Sequence, residues 1–171
     1  MKTTFKMIIA NFLVGLGCTT CQSGPVVHTV PNVDLVQYSG TWFEIASYPQ
    51  FFERGCVNVK ATYTPMKDYI EVYNQSVKNG MANDIKGKAF IVKNSGNAKL
   101  KVQFVWPFKG DYWIIKLADD YSWAVVSDSK RSTLWILSRT PKMEPVLYQQ
   151  IVADISKEGF DINKIVKMVQ Q

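Results

Sequence analysis

From residue 57 onward, apolar and polar positions alternate with a period of two. Val57, Val59, Ala61 and Tyr63 alternate with Asn58, Lys60 and Thr62. Ile70 and Val72 alternate with Glu71 and Tyr73; Gly87, Ala89 and Ile91 with Lys86, Lys88 and Phe90; and Leu100, Val102 and Phe104 with Lys99, Lys101 and Gln103. Successive side chains of a strand point to opposite faces, so each run predicts a strand with one apolar face. Turn chemistry separates the runs at residues 65–68, 78–80, 94–97, 109–111 and 119–120. Residues 112–117, 121–127 and 133–139 are apolar on both faces, which calls for a cover outside. Residues 144–157 provide it: Leu147, Ile151 and Ile155 recur at i+4, Tyr148 and Val152 lie beside them, and Gly159 can end the helix.

With residues 42–48 as the first strand, the pattern predicts eight strands and then a helix. Short turns between consecutive strands argue an antiparallel meander, and closure into an all-β, up-and-down barrel removes its edges. Alternation places Val59, Ala61, Tyr63, Ile70, Val72, Ala89, Leu100, Val102 and Phe104 inward, with Trp135 and Leu137 added by the parity of Arg139. An eight-stranded barrel holds either packed side chains or one small ligand. Alternation alone leaves both readings open, although the small Ala61, Gly87 and Ala89 favour space. Tyr112 and Ile114 share parity with Lys116, so strand six requires a bulge or a lysine in the lumen.

The first 17 residues break the pattern. Lys2 and Lys6 precede an apolar run over residues 7–16, far shorter than the roughly 20 residues that span a bilayer. The segment reads as an export signal. Gly17 leads into Cys18, a junction that resembles a bacterial lipoprotein signal, in which the cysteine after a small residue is lipidated. Gly15 departs from that pattern, where leucine is usual. Thr19 in place of Asp fits sorting to the outer membrane. Cys18-Thr-Thr-Cys21 is also a C-x-x-C spacing, but no second pair and no folded context accompany it. Cys56 is either a small buried apolar residue or the partner of Cys21 in an oxidising compartment. Residues 18–33 carry two prolines, a glycine and no helical period, and so read as a lipidated N-terminus and extended tether, with His28 on its surface.

The 171 residues suit one domain with a substantial core. A single histidine, His28 in the tether, excludes a multi-histidine metal site and leaves little for histidine-based catalysis, and no G-x-S-x-G elbow is present. The net charge of +6 comes from interspersed residues, 20 basic and 14 acidic, rather than from a block. It favours an anionic lipid surface weakly and is no nucleic-acid footprint.

At residues 34–46, DLVQYSGTWFEIA, the chain resembles a lipocalin: Gly40 and Trp42 match that family's first signature, Asp120 and Tyr121 the second, and Arg139 the third. The three occur in order within one eight-strand pattern. Segments 52–56, 59–63, 98–102, 110–113, 135–141 and 158–161 are similar to bacterial lipocalins of the outer-membrane lipoprotein Blc type. The resemblance covers residues 34–171, the expected lipocalin domain. It implies a calyx that binds a fatty acid or lysophospholipid, with no covalent chemistry, no cofactor and no metal. It also implies a lipid anchor at Cys18, a barrel in the periplasm, and Arg139 packed across Trp42 at the closed end. Homodimerisation stays open. The alternative is a lipid-modifying enzyme on the same barrel, for which Glu44, sharing parity with Trp42, is the candidate acid.

Overall fold

A computed structural model describes residues 26–50 and 53–171. Its strands are β1 (Gly40–Ser47), β2 (Cys56–Pro65), β3 (Ile70–Lys78), β4 (Met81–Ile91), β5 (Lys99–Gln103), β6 (Gly110–Leu117), β7 (Trp123–Ser127) and β8 (Leu134–Ser138). Neighbours in sequence pair antiparallel, and β1 pairs with both β2 and β8, so the sheet closes on itself. Trp42 faces Ala61 across the β1–β2 seam, and Glu44 faces Leu137 across the β1–β8 seam. The register puts Val72 beside Gly87, Ile70 beside Ala89, and Ala89 beside Val102, so Ile70, Val72, Ala89 and Val102 of the expected inward set lie on one continuous face.

Two clusters follow from this alternation. The interior one joins Trp42, Tyr63, Ile70, Val72, Ala89, Leu100, Ile114 and Leu137, with Ala61, Val102 and Trp135 partly buried against it. The outer one lies under the second helix, α2 (Pro145–Lys157). There Ile151 and Ile155 pack with Ala46, Ile115, Val125, Leu134 and Ile136. This explains why the later strands are apolar on both faces. Gly159, at φ +84°, ends the helix. The Phe160 amide then bonds back to the Ile155 carbonyl, and Phe160 is buried.

Strand irregularities adjust the two faces. A bulge between Glu44 and Ala46 turns Ala46 outward to pair with Ile136. A second, between Ile114 and Lys116, settles the parity conflict in β6: Lys116 pairs with Val125, and its Nζ lies 2.6 Å from Glu158 Oε1 outside the barrel.

Several sequence expectations are corrected. The seventh strand starts at Trp123, not at 121: Tyr121 sits in the preceding turn at φ +58°. The tether is not free as far as Val33. Val27 is buried in the outer cluster, the Val30 amide bonds to the Ile114 carbonyl at 3.0 Å, and Val33, fully buried, bonds to the Gly96 carbonyl at 2.8 Å. A short helix α1 (Leu35–Tyr38), capped by the Asp34 carboxylate on the Val36 and Gln37 amides, precedes β1.

The C-terminus adds a further strand, β9 (Val166–Lys167), against the upper part of β1. Above the Phe43–Lys60 pair, β1 and β2 are no longer registered with each other. The tail fills that seam: the Met168 amide bonds to Ile45 and the Asn58 amide to Val169, each at 2.9 Å. The Gln170 amide donates to the Glu44 and Val59 carbonyls, both at 2.8 Å.

Candidate functional site: the barrel lumen

One end of the lumen is sealed. The α1 segment crosses it, and the Trp42 indole N–H donates to the Tyr38 carbonyl at 2.8 Å. Arg139 Cζ lies 3.8 Å from the Trp42 ring. Its guanidinium donates to the carbonyls of Tyr121, Thr41 and Gln37, so one planar cation ties the β6–β7 turn, β1 and α1 together. Gly40 lies under this group: at φ +92°, a Cβ there would sit 3.4 Å from Arg139 Nη1. The Tyr121 hydroxyl accepts from the Asp34 amide at 2.9 Å, and Asp120 Oδ1 accepts from the Ser122 amide at 3.0 Å, which shapes the turn. The structure thus brings Gly40, Trp42, Tyr121 and Arg139 to one place, with Asp120 forming the turn that presents Tyr121.

Three tyrosines complete the seal. Tyr38 and Tyr63 hydroxyls lie 2.8 Å and 2.9 Å from the Tyr112 hydroxyl, and burial pushes all three phenols up from their ordinary value. The alternation predicts Tyr63 as a wall residue. It lies on the inner face, but its hydroxyl is engaged in the closed end. Tyr38 and Tyr112 were not singled out from the sequence, although the parity of Tyr112 with Ile114 signals an inward position.

Exposure rises toward the other end. Trp42, Ala89 and Leu100 are inaccessible and Val72 nearly so, whereas Ile85 and Phe104 are 45% and 37% exposed. Val59, Ile70 and Leu137 are buried, and Ala61, Val102 and Trp135 are half-buried. Phe104 departs from expectation: it lies one residue beyond β5. A Cβ on Gly87 would sit 2.6 Å from its ring and 2.8 Å from the Gln103 carbonyl. The space left by Gly87 is therefore taken by Phe104 and is not lumen.

The inner wall is not wholly apolar. Glu44 is 3% exposed, and its Oε1 has no hydrogen-bond partner among the described residues. Glu53, from the loop between β1 and β2, has a buried Oε2 in the same condition, as does Asn74 Oδ1 on β3. Burial, and the charge of Glu53, push the Glu44 carboxyl well above the usual carboxylate range, while the Ser47 hydroxyl opposes the shift. Burial likewise raises Glu53, opposed by the Trp135 indole. Alternation signals an inward Asn74, which shares parity with Ile70 and Val72. Glu53 lies in a loop with no periodicity to mark it. Cys18 and Cys21 lie outside the described residues, and Cys56 is half-buried at the start of β2. Among the described residues no group of acidic, cysteine and histidine side chains could hold a metal ion.

A lipocalin-like domain model matches residues 33–170. The outer membrane lipoprotein Blc of Citrobacter freundii is 39% identical over 166 residues, covering 95% of this chain and 93% of that one. Temperature-induced lipocalin-1 of Arabidopsis thaliana is also 39% identical, over 154 residues, covering 84% of this chain and 83% of the relative. Among solved structures, insecticyanin from the tobacco hornworm Manduca sexta superposes with a TM-score of 0.70 at 22% identity, over 85% of each chain. The barrel closed by Trp42 and Arg139, with its external helix, agrees with these matches: the chain belongs to the lipocalin family, and it is similar over nearly its whole length to bacterial Blc lipoproteins.

Proposed function

We propose that the chain is a membrane-tethered, non-enzymatic carrier of a single-chain amphiphile, of the fatty acid or lysophospholipid class. The observation that supports this reading is the gradient along the inner face: it is plugged at the Trp42–Arg139 end, and exposure rises toward Ile85 and Phe104. An alkyl chain entering there loses contact with water at about 0.8 kcal/mol per methylene. The proposed wall is Val59, Ala61, Ile70, Val72, Ala89, Leu100, Val102, Trp135 and Leu137, with Phe104 at the mouth and the inner edge of Tyr63 below. The names of the Blc relatives favour the outer membrane as the place of action, with Cys18 as the anchor and the barrel on the periplasmic side. A role in storage, transport or scavenging of envelope lipid follows from binding without turnover.

Ala89 is the test position. It is fully buried between Ile70 and Val102 on the inner face. Ala89→Trp fills the lumen at that level, so binding of a twelve-carbon fatty acid or lysophospholipid is expected to fall while far-ultraviolet circular dichroism still reports the barrel. In the parent protein, binding should carry a negative heat-capacity change in calorimetry. Absence of binding by the parent to both classes would overturn the carrier reading.

The enzyme alternative is favoured by one observation, the buried and up-shifted Glu44 carboxyl. Recovery of a bound lysophospholipid intact after long incubation supports the carrier; release of its fatty acid or headgroup supports the enzyme.

A further inference from the structure

The unpartnered polar atoms on the inner wall are all acceptors. Glu44 Oε1, Glu53 Oε2 and Asn74 Oδ1 are each buried without a donor among the described residues. Among the described residues no lysine or arginine forms an ion pair with them. Lys60, opposite Phe43, has outward parity; Lys86 lies over the outward Tyr73 and 3.4 Å from Glu71; Lys116 is held by Glu158 outside; and Arg139 is occupied at the closed end. The neutral groups beside the carboxyls are the Ser47 hydroxyl, the Trp135 indole and Leu137 opposite Glu44. Two neighbouring carboxyls with buried oxygens and no paired cation form a costly arrangement, unless they hold protons or a bound group provides the missing positive charge.

An alkylammonium has the complementary chemistry: one positive charge and three N–H donors with no acceptor. We propose that Glu44 and Glu53 form a headgroup subsite that selects an amphiphile ending in a protonated amine over one ending in a carboxylate. The proposal rests on the carrier reading above and decides between its ligand classes. A fatty-acid carboxylate placed beside this pair meets like charge, or must itself be protonated. An ammonium instead lets both acids ionise, and each oxygen gains a donor.

Proton linkage follows. The empty pair retains protons because burial holds both carboxyls above their ordinary range and the charge of Glu53 raises Glu44 further. Binding of an ammonium then releases protons, so amine affinity rises as pH increases through the neutral range, while carboxylate affinity falls. The two acids act as a unit, and their titration belongs to the pair.

The experiment is calorimetric titration of the purified, delipidated full chain with dodecylamine, dodecanoate and dodecanol, at concentrations where each remains monomeric, between pH 6 and pH 8. At pH 8 dodecylamine is expected to bind at least about tenfold more tightly than dodecanoate, since one unit of pKa depression in the pair corresponds to a factor of ten. Titration in buffers of different ionisation enthalpy should show protons released on amine binding. In the Glu44→Gln/Glu53→Gln variant the tenfold preference and the proton release should disappear, while dodecanol affinity stays unchanged and reports that the lumen is intact. Dodecanoate binding as tightly as dodecylamine, or an amine preference that survives in the variant, overturns the headgroup assignment and leaves the carrier reading standing. Failure of all three ligands to bind the parent overturns both.

Discussion

Trp42 and Arg139 meet because closure of the barrel sets the end of β8 beside the start of β1. A guanidinium over an indole face is worth about 0.5–1 kcal/mol when exposed and about 2 when desolvated, and this one also satisfies three carbonyls. Trp42→Ala removes a fully buried indole and is expected to cost roughly 3–5 kcal/mol, the range for aromatic truncations in cores. Arg139→Ala should cost less, and Arg139→Lys should not rescue it, because a lysine provides neither the plane nor the fork. Denaturant unfolding, read beside lipid titration, checks the assignment: all three variants should keep near-native affinity wherever they fold, and loss of binding at unchanged stability would make Arg139 a ligand contact.

Glu44 gives the opposite kind of prediction. Its carboxyl is raised in the folded barrel, so the native state holds a proton that the unfolded chain has released once pH exceeds the ordinary Glu value of 4.5. Stability therefore falls as pH rises through the neutral range. Glu44→Gln should flatten that slope and leave the variant more stable than the parent at pH 8, as measured by unfolding midpoints from pH 5 to 8. An unchanged slope would show that Glu44 is ionised in the native state.

At the scale of elements, what was legible in the sequence is what repeats. The period of two in β3, the second half of β4 and β5 marked both their existence and their inner faces, whereas in β2 a bulge between Val57 and Lys60 interrupts the alternation below Ala61. The i+4 spacing of Leu147, Ile151 and Ile155 fixed the covering helix. Segments whose structure depends on a distant partner carried no such mark. The docked strap through Val27, Val30 and Val33 has no period because it bonds to isolated carbonyls of Ile114 and Gly96. Gly96 permits the approach: at φ +56°, a Cβ there would sit 1.9 Å from the Pro31 carbonyl. Likewise, β9 is two residues long and exists only because β1 and β2 part above Phe43.

The tail that fills this seam is testable at Gln170. Its side chain bridges two carbonyls, one on each parting strand, so Gln170→Ala leaves both without that donor and should cost on the order of 1–2 kcal/mol. Hydrogen exchange should also speed up at the Met168 and Asn58 amides, which bond across the same seam. Unaltered protection there would mean that the tail holds the seam without Gln170.

For the whole molecule, the docked strap changes how the barrel relates to its proposed anchor. A spacer free from Cys18 to Val33 would be fifteen residue steps and could reach about 50 Å at roughly 3.3–3.6 Å per step. With Val27 already buried against the barrel, nine steps separate it from Cys18, a reach of at most about 32 Å at ~3.6 Å each. A barrel held so close to a leaflet can exchange an amphiphile with it directly, which suits a carrier whose ligand is poorly soluble in water. The geometry serves this purpose only if Cys18 is lipidated. One acyl chain of myristoyl length gives marginal, reversible membrane binding, whereas two or more chains, at about 0.8 kcal/mol per buried methylene, hold a protein at a membrane for practical purposes. The basic Lys2 and Lys6, the short apolar run and Gly17 before the cysteine are the features that motivate the assignment. Cys18→Ser is expected to accumulate as an unprocessed precursor, about two kilodaltons heavier by the mass of the retained 17-residue leader at roughly 110 Da per residue. The parent should incorporate labelled palmitate and fractionate with outer membranes. A Cys18→Ser protein that matures to normal size and stays in that fraction would show that the barrel reaches the membrane by another route.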